Sequence, residues 1–495
     1  MELKDIDFGN EAGDDASIEE LASYFVEQET FEAFISPTKR LQVATARRGV
    51  GKSALLQWVA YKVGQDHKGD LVITTRGADL VRGKFNLTSR LSTPNDHIHD
   101  WMVRICSLIN RRLALEIGFA LNDDSITLVE SAEIEGYKGR NIVGCLVDRL
   151  QTMLEKGRTT TKLLATNEVE LLRRNAVGKD RRVWIIIDDL DATYQKTDEE
   201  TISLGAFFSA CRYLAKDVKG LNFRVSLRTD VWPLVRRYDE ATGKLDQYRV
   251  ELAWRQDEFL KLLAFRIRAA LHENESDSTK ITAGFLSERQ QEGLLANVFT
   301  PQMDWNKKKV DTYKVIYTLS YERPRWAIQL CKLAQKAALR DRKAVIERAA
   351  IDEVWGEYGA KRIDDLVSEH KHQCPEILEV LTAFRGAERL MIRDVLTDWI
   401  KRHISSHMDV WIDGKSVREP VPIAHFLYRI GFIVARSQTD EEYEHYRFDQ
   451  MPDFLSSRTN TDFNVKWEIH PCYREALDIK KLNQSHKAQF SRLRR

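Results

Sequence analysis

The sequence predicts an α/β protein, a mostly parallel sheet with helices on both faces, followed by helices and a smaller helix-and-strand region. Three observations carry this. Short apolar strands and helical segments alternate between residues 41 and 272; a glycine-rich stretch, ARRGVGKS, separates the first strand from a helix; and a later strand, VWIIIDDLD, runs apolar and ends in carboxylates. At 495 residues the chain is too long for one core and suggests two or three domains.

Each element has a local reason. Residues 17–35 carry apolar side chains at helical spacing. Ser17 with Glu19 and Glu20 suits a helix start, because a hydroxyl caps free amides and acidic groups complement the positive end. LQVAT at 41–45 is a buried strand, and LVITT at 71–75 is a second. A helix spans 99–117, with Trp101, Ile105, Leu108 and Ile109 on it. Residues 119–182 read as an insertion with helices through 141–156 and 160–174, ending in RRNAVGKDRR, a solvated turn or a phosphate contact. Strand 183–191, helix 201–215, strands 223–230 and 248–254 and helix 258–272 complete the alternation. Helices are expected over 308–319, 325–339, 343–357, 376–385 and 390–403. PIAHFLYRIGFIVARS (422–437) reads as helix, turn at Gly431 and strand, with further strands at 443–451 and 464–471. This last region resembles a winged-helix domain. The expected domains are an N-terminal helical segment (1–35), a core (36–272), a helical lid (273–360), a winged-helix-like domain (361–479) and a basic tail (480–495).

Composition sets bounds. Apolar residues are 43% and charged residues 31%, as in a globular chain, and the net charge of +1 excludes a chain basic throughout while leaving room for a local nucleic-acid patch. Cys106, Cys145, Cys211, Cys331, Cys374 and Cys472 are scattered and outline no disulfide framework. The opening MELKDIDFGNEAGDD lacks the basic and apolar runs of a secretory signal, and no stretch reaches 18 apolar residues. The expectation is a cytoplasmic protein with no membrane partner.

ARRGVGKS at 46–53 fits G-x-x-x-x-G-K-[ST] with Ala46 in place of the first glycine. Gly49 and Gly51 allow a tight turn, and their amides with those of Lys52 and Ser53 form an anion nest at a helix N-terminus. Lys52 reaches the β- and γ-phosphates, and the Ser53 hydroxyl joins a magnesium shell. The cofactor-binding set is Arg48, Gly49, Val50, Gly51, Lys52, Ser53 and Ala54, with no chemistry assigned to Arg47 or Arg48. Asp188 ends the apolar strand, where a parallel sheet brings it to the carboxyl edge beside the loop to hold Mg²⁺ directly or through water. Asp189 orients or polarises the attacking water, and Asp191 is a weaker candidate that reads as structural or cap-forming. Arg228 senses the γ-phosphate or, alternatively, pairs with a nearby aspartate. Arg323 and Arg325 begin a helix with Pro324 in its first turn; Arg325 is the better candidate to reach the nucleotide from a lid. Arg236 and Arg237 are a weaker candidate for serving a neighbouring subunit. Tyr24, Phe31 and Phe34 are core rather than base contacts.

These motifs resemble the Walker A and Walker B pair of P-loop ATPases. The doubled aspartate with Leu190 and Asp191 is similar to the STAND, KAP and initiator-type AAA+ branch, Arg228 to a STAND arginine sensor, and ERPRWAIQLCKLA to the second-sensor helix of origin-recognition proteins. FGNEAGDD, RRGVGKSAL and IHPCYREAL also look like a bacterial P-loop ATPase family linked to DNA or antiphage defence. The resemblance implies the P-loop NTPase fold, ATP rather than GTP, and a switch, often oligomeric, that couples ATP hydrolysis to assembly or partner binding. Double-stranded DNA and a separate effector protein are the implied partners. A nucleotide-stabilised DNA-binding or protein-scaffold module with little turnover is the alternative.

Other clusters are weaker. His370, His372 and Cys374, and the pair His403 and His407, have spacings that zinc accepts, but no C-x-x-C supports them. His470 and Cys472 are too isolated to argue a nucleophile and base.

Overall fold

A computed structural model describes residues 2–13, 15–82, 93–116, 182–191, 194, 197–218, 220–237, 245–272, 286–305, 308–438, 443–455 and 465–480. The expected helices at 141–156 and 160–174, all of the insertion before Arg182, Cys145 and the basic tail beyond Lys480 lie outside them. The chain divides into two units, one built on Gly9–Ala269 and the other on Leu286–Arg495 with Met1–Phe8.

In the first unit, α1 (Ile18–Tyr24) starts where Ser17 accepts the Glu20 amide, and α2 (Glu32–Ile35) follows. Then come β1 (Leu41–Ala46), α3 (Lys52–Asp66), β2 (Leu71–Arg76), α4 (Gly77–Arg82), α5 (Pro94–Glu116), β3 (Val183–Asp188), α6 (Asp198–Asp217), β4 (Leu221–Arg228), α7 (Trp232–Arg237), β5 (Arg249–Glu251) and α8 (Gln256–His272). The strands form one parallel sheet in the order β2-β3-β4-β1-β5. This is the expected α/β architecture of the P-loop NTPase kind. Its order puts β4 between β1 and β3, so the loop and the acidic strand share a sheet edge with one strand between them.

Residues i and i+2 of a strand share a face. Leu41 and Val43, Ile73, Ile185 and Ile187, and Phe223, Val225 and Leu227 form one face and bury against α5 and α6 through Ile105, Ile109, Phe207 and Leu214. The opposite face, where α3 packs, is different on β4: Asn222, Arg224, Ser226 and Arg228 alternate along it. Asn222, Arg224 and Ser226 are nonetheless buried. Buried polar groups need partners. Arg224 donates to the carbonyls of Phe34 and Ser36, lies 4.7 Å over the Trp184 ring, and is pushed down to about 9 by burial. It thereby ties the segment before β1 to the central strand. Tyr24, Phe31 and Phe34 are buried, as expected for core.

The second unit contains α9 (Glu288–Ala296), a hairpin of β6 (Gln302–Trp305) and β7 (Lys308–Asp311), α10 (Thr312–Leu319), α11 (Pro324–Arg340) and α12 (Arg348–His370). The helix expected over 308–319 therefore begins only at Thr312. Residues 302–305 alternate exposed and buried with a period of two, and 308–311 pair with them as a strand. After α12 come α13 (Ile377–Thr382), β8 (Leu390–Met391), α14 (Arg393–Ile400) running into a π-helical turn at Lys401–Ser405, the hairpin β9 (Val410–Ile412) and β10 (Lys415–Val417), α15 (Pro420–Arg429), β11 (Ile433–Gln438), β12 (Tyr443–Tyr446) and β13 (Lys466–Ile469). β12-β11-β13-β8 is an antiparallel sheet, and helices closed by such a sheet make the winged-helix-like part.

One carboxylate organises that sheet. Glu468, fully buried on β13, accepts from Arg474 (2.6 Å), Arg389 (2.8 Å), His445 (2.7 Å) and Arg436 (3.3 Å). Burial opposes its charge, but Arg474, His445 and Arg389 more than offset that and hold it well below the usual glutamate range.

Candidate functional site

β1 ends at Ala46, level with Arg228 of β4, and α3 opens at Lys52. Between them Gly49 has φ 77° and Gly51, the N-cap of α3, has φ 119°. A Cβ on Gly51 would meet no atom within 4 Å, so backbone conformation rather than space requires glycine there. Lys52 is buried, and its ammonium donates to the Ala46 carbonyl at 3.2 Å and to that of Arg47 at 3.5 Å. A buried cation thus lies beneath a loop that leads into a helix N-terminus, the donor set a polyphosphate needs. Val50 is buried, Ser53 and Ala54 are half-buried, and Arg48 is exposed.

Two supports escaped the sequence reading. The Trp254 indole donates to the Val50 carbonyl at 2.8 Å, tying the loop to the segment after β5. Gly13 lies so close to the first turn of α3 that an added Cβ would sit 2.6 Å from the Ala54 Cβ and 2.9 Å from its Cα. Nothing local in the sequence marks Trp254, and Gly13 sits in a stretch that reads as loose and acidic.

At the same sheet edge Asp188 is half-buried at the end of β3 and Asp189 is exposed with φ 49°, a left-handed conformation that Asp tolerates better than most residues. The Ser226 hydroxyl donates to Asp188 Oδ1 at 2.5 Å and accepts the Asp189 amide at 2.9 Å. Ser226 also escaped the sequence reading; it is one of the polar residues that alternate along β4, and nothing local sets it apart from Asn222 or Arg224. Arg228 donates through Nε to Asp191 Oδ2 at 2.7 Å and through its amide at 3.2 Å, and Asp230 lies 3.8 Å away. The ion pair weighed as the alternative for Arg228 is therefore present, and Asp191 is buried and structural.

The lid candidates belong to the second unit. Arg323 is spent inside it: it is 1% exposed, lies 4.1 Å over the Trp326 ring and pairs with Glu369 at 3.2 Å. Arg325 is half-buried in the first turn of α11, where Pro324 takes the expected place. Arg236 and Arg237 lie on α7, outside what the structure describes of side chains. His370, His372 and Cys374 have separate surroundings. His370 bonds Gln373, Cys374 is buried with its thiol pushed up to about 12 by burial, and His372 is exposed. No group of three or more His, Cys, Asp or Glu side chains among the described residues is arranged to hold a metal. His470 and Cys472 do meet, at 3.0 Å, but both are buried and burial pushes the thiol up to about 12, which leaves it unreactive. No helix among the described residues is long and apolar enough to cross a membrane.

Residues 257–367 match the FunZ-associated C-terminal helical domain, a stretch that runs from α8 through α12. No curated protein matches the chain. Among solved structures, the chain is similar to the Aeropyrum pernix ORC2 protein in its ADPNP–ADP complexes (13% identity, 91% of this chain and 88% of that one, TM-score 0.39). It is also similar to Cdc6p from Pyrobaculum aerophilum (12%, 93% and 96%, TM-score 0.32). A third likeness is to Drosophila ORC bound to DNA (10%, 92% and 90%, TM-score 0.32). At these scores the likeness carries no functional weight, and function has to be read from the site.

Proposed function

We propose that the chain is a magnesium-dependent ATPase that converts ATP and water to ADP and phosphate and uses the cycle as a switch. The observation that carries this reading is the loop itself. Gly49 and Gly51 hold positive φ, Lys52 is buried beneath the loop at the start of α3, and Asp188 lies on the same sheet edge. In this reading the amides of residues 49–53 cradle the phosphates and Lys52 neutralises the β- and γ-oxygens. Ser53 and Asp188 would hold Mg²⁺, which would supply positive charge to neutralise the phosphates. Asp189 orients or polarises the attacking water, Arg228 stabilises the charge that develops, and Arg325 is the lid candidate to reach the nucleotide. Gly13, packed against Ala54, supports the start of α3.

The finer assignment is a switch of the STAND, KAP or initiator-type AAA+ branch, assembling as a homo-oligomer. Double-stranded DNA and a separate effector protein are its partners, and antiphage defence is its setting. The winged-helix-like part and the basic residues from Lys480 onward are the DNA-binding candidates. Binding through them falls steeply with salt and is lost when 480–495 are removed; affinity unchanged by that truncation excludes the tail.

The test is turnover by the purified chain with and without duplex DNA, beside its mass in each nucleotide state. Magnesium-dependent phosphate release that Asp189→Ala stops without weakening ATP binding is expected. No release under any condition contradicts enzymatic function. A second reading, a nucleotide-stabilised scaffold, is favoured by the engagement of Arg228 with Asp191. It predicts that Asp189→Ala changes neither binding nor output.

A further inference from the structure

We infer that Ser226 is a positioning residue that makes Asp188 a one-oxygen ligand for the divalent cation; the inference rests on the nucleotide-binding reading above. Ile187 pairs with Val225 in register, which sets Asp188 level with Ser226 on adjacent strands and brings their side chains together on one face. Ser226 is fully buried. A hydroxyl has one proton to give, and Ser226 gives it to Asp188 Oδ1 at 2.5 Å. Asp188 Oδ1 also accepts the Asp189 amide at 3.0 Å. Oδ1 is thus engaged twice, while Oδ2 accepts no hydrogen bond from the described residues. The carboxylate cannot turn about its last torsion without breaking both bonds, so Oδ2 is presented in one direction and a two-oxygen grip on a cation is disfavoured.

The same hydroxyl accepts the Asp189 amide at 2.9 Å, which holds the residue at φ 49°. One side chain on the central strand therefore governs both the metal carboxylate and the turn that aims the next one. Ser226 touches neither nucleotide nor cation in this scheme. It acts through Asp188, as partners behind metal ligands do, and losing such a partner weakens metal binding by about 10- to 100-fold.

The experiment is a Mn²⁺ titration followed by electron paramagnetic resonance, using the full chain with a β,γ-imido ATP analogue. It is paired with analogue binding in the presence of chelator. Ser226→Ala is expected to raise the half-saturating Mn²⁺ about tenfold and to leave metal-free analogue binding unchanged. Ser226→Thr, which keeps the hydroxyl, restores most of the loss. Ser226→Cys, of similar size but a weak donor, behaves like alanine and separates the hydrogen bond from packing. In an Asp188→Asn background Ser226→Ala has no further effect. Unchanged Mn²⁺ affinity in Ser226→Ala, or an equal shift in the Asp188→Asn background, overturns the inference while leaving the ATPase reading intact. Failure of the unaltered chain to bind the analogue overturns both.

Discussion

Asp188 and Glu468 are both acidic residues on strands, and each unit treats its own differently. Glu468 is sealed in, and both its oxygens are engaged by three arginines and a histidine. Asp188 is half-buried at a sheet edge, one oxygen pinned by a hydroxyl and an amide and the other without a hydrogen bond from the described residues. Full engagement makes a carboxylate a fastener, because nothing remains with which to bind a newcomer. Half engagement makes it a directed ligand. The buried cations show the same contrast. Arg323 and Arg224 are buried and committed to protein, whereas Lys52, also buried, is held among the described residues by the carbonyls of Ala46 and Arg47, contacts that a phosphate can replace.

Glu468→Gln is the strongest way to probe the contrast. It leaves Arg389, Arg436 and Arg474 around a neutral side chain and is expected to cost about 3–5 kcal/mol, read by urea unfolding. Asp188→Asn should cost less than about 1 kcal/mol in the same assay, since little of its environment is paired charge. A large stability loss for Asp188→Asn breaks the distinction. The pH dependence follows in sign. A carboxyl held below its ordinary value of 4.5 contributes stability above that pH and loses it as the pH falls through the lower folded value. The melting-temperature gap between the unaltered chain and Glu468→Gln should therefore be widest near neutrality and close in acid.

Lys52→Ala is expected to weaken ATP binding by about 100-fold, or about 2.7 kcal/mol, with stability little changed; calorimetric titration reads it. Gly13→Ala forces a methyl onto the backbone of α3 and should cost about 1–3 kcal/mol of stability. Trp254→Phe removes the bond to the Val50 carbonyl and is expected to weaken nucleotide binding about fivefold, near 1 kcal/mol.

Much of this was legible along the chain. Strand apolarity and glycine spacing located β1, the loop, α3 and the acidic end of β3, because those signals are local. The helix start at Ser17 and the turn at Gly431 were legible for the same reason. The hairpin at 410–417 had a local signal too. Asp413 and Gly414, both with positive φ, form the two-residue turn that such a dipeptide favours, yet the segment reads as mixed. Ser226, Trp254 and the pairing of Glu468 with Arg389 and Arg436 were not legible, since each role depends on residues far away in sequence. Only register across a sheet or closure of the fold brings such residues together.

The most direct measurement is a crystal structure of the chain with Mg²⁺ and a non-hydrolysable ATP analogue. The triphosphate is expected within the loop at 49–53, with the Lys52 ammonium on the β- and γ-oxygens and Asp188 in the metal's shell directly or through one water. Nucleotide bound elsewhere, or a metal held without Asp188, would contradict that placement.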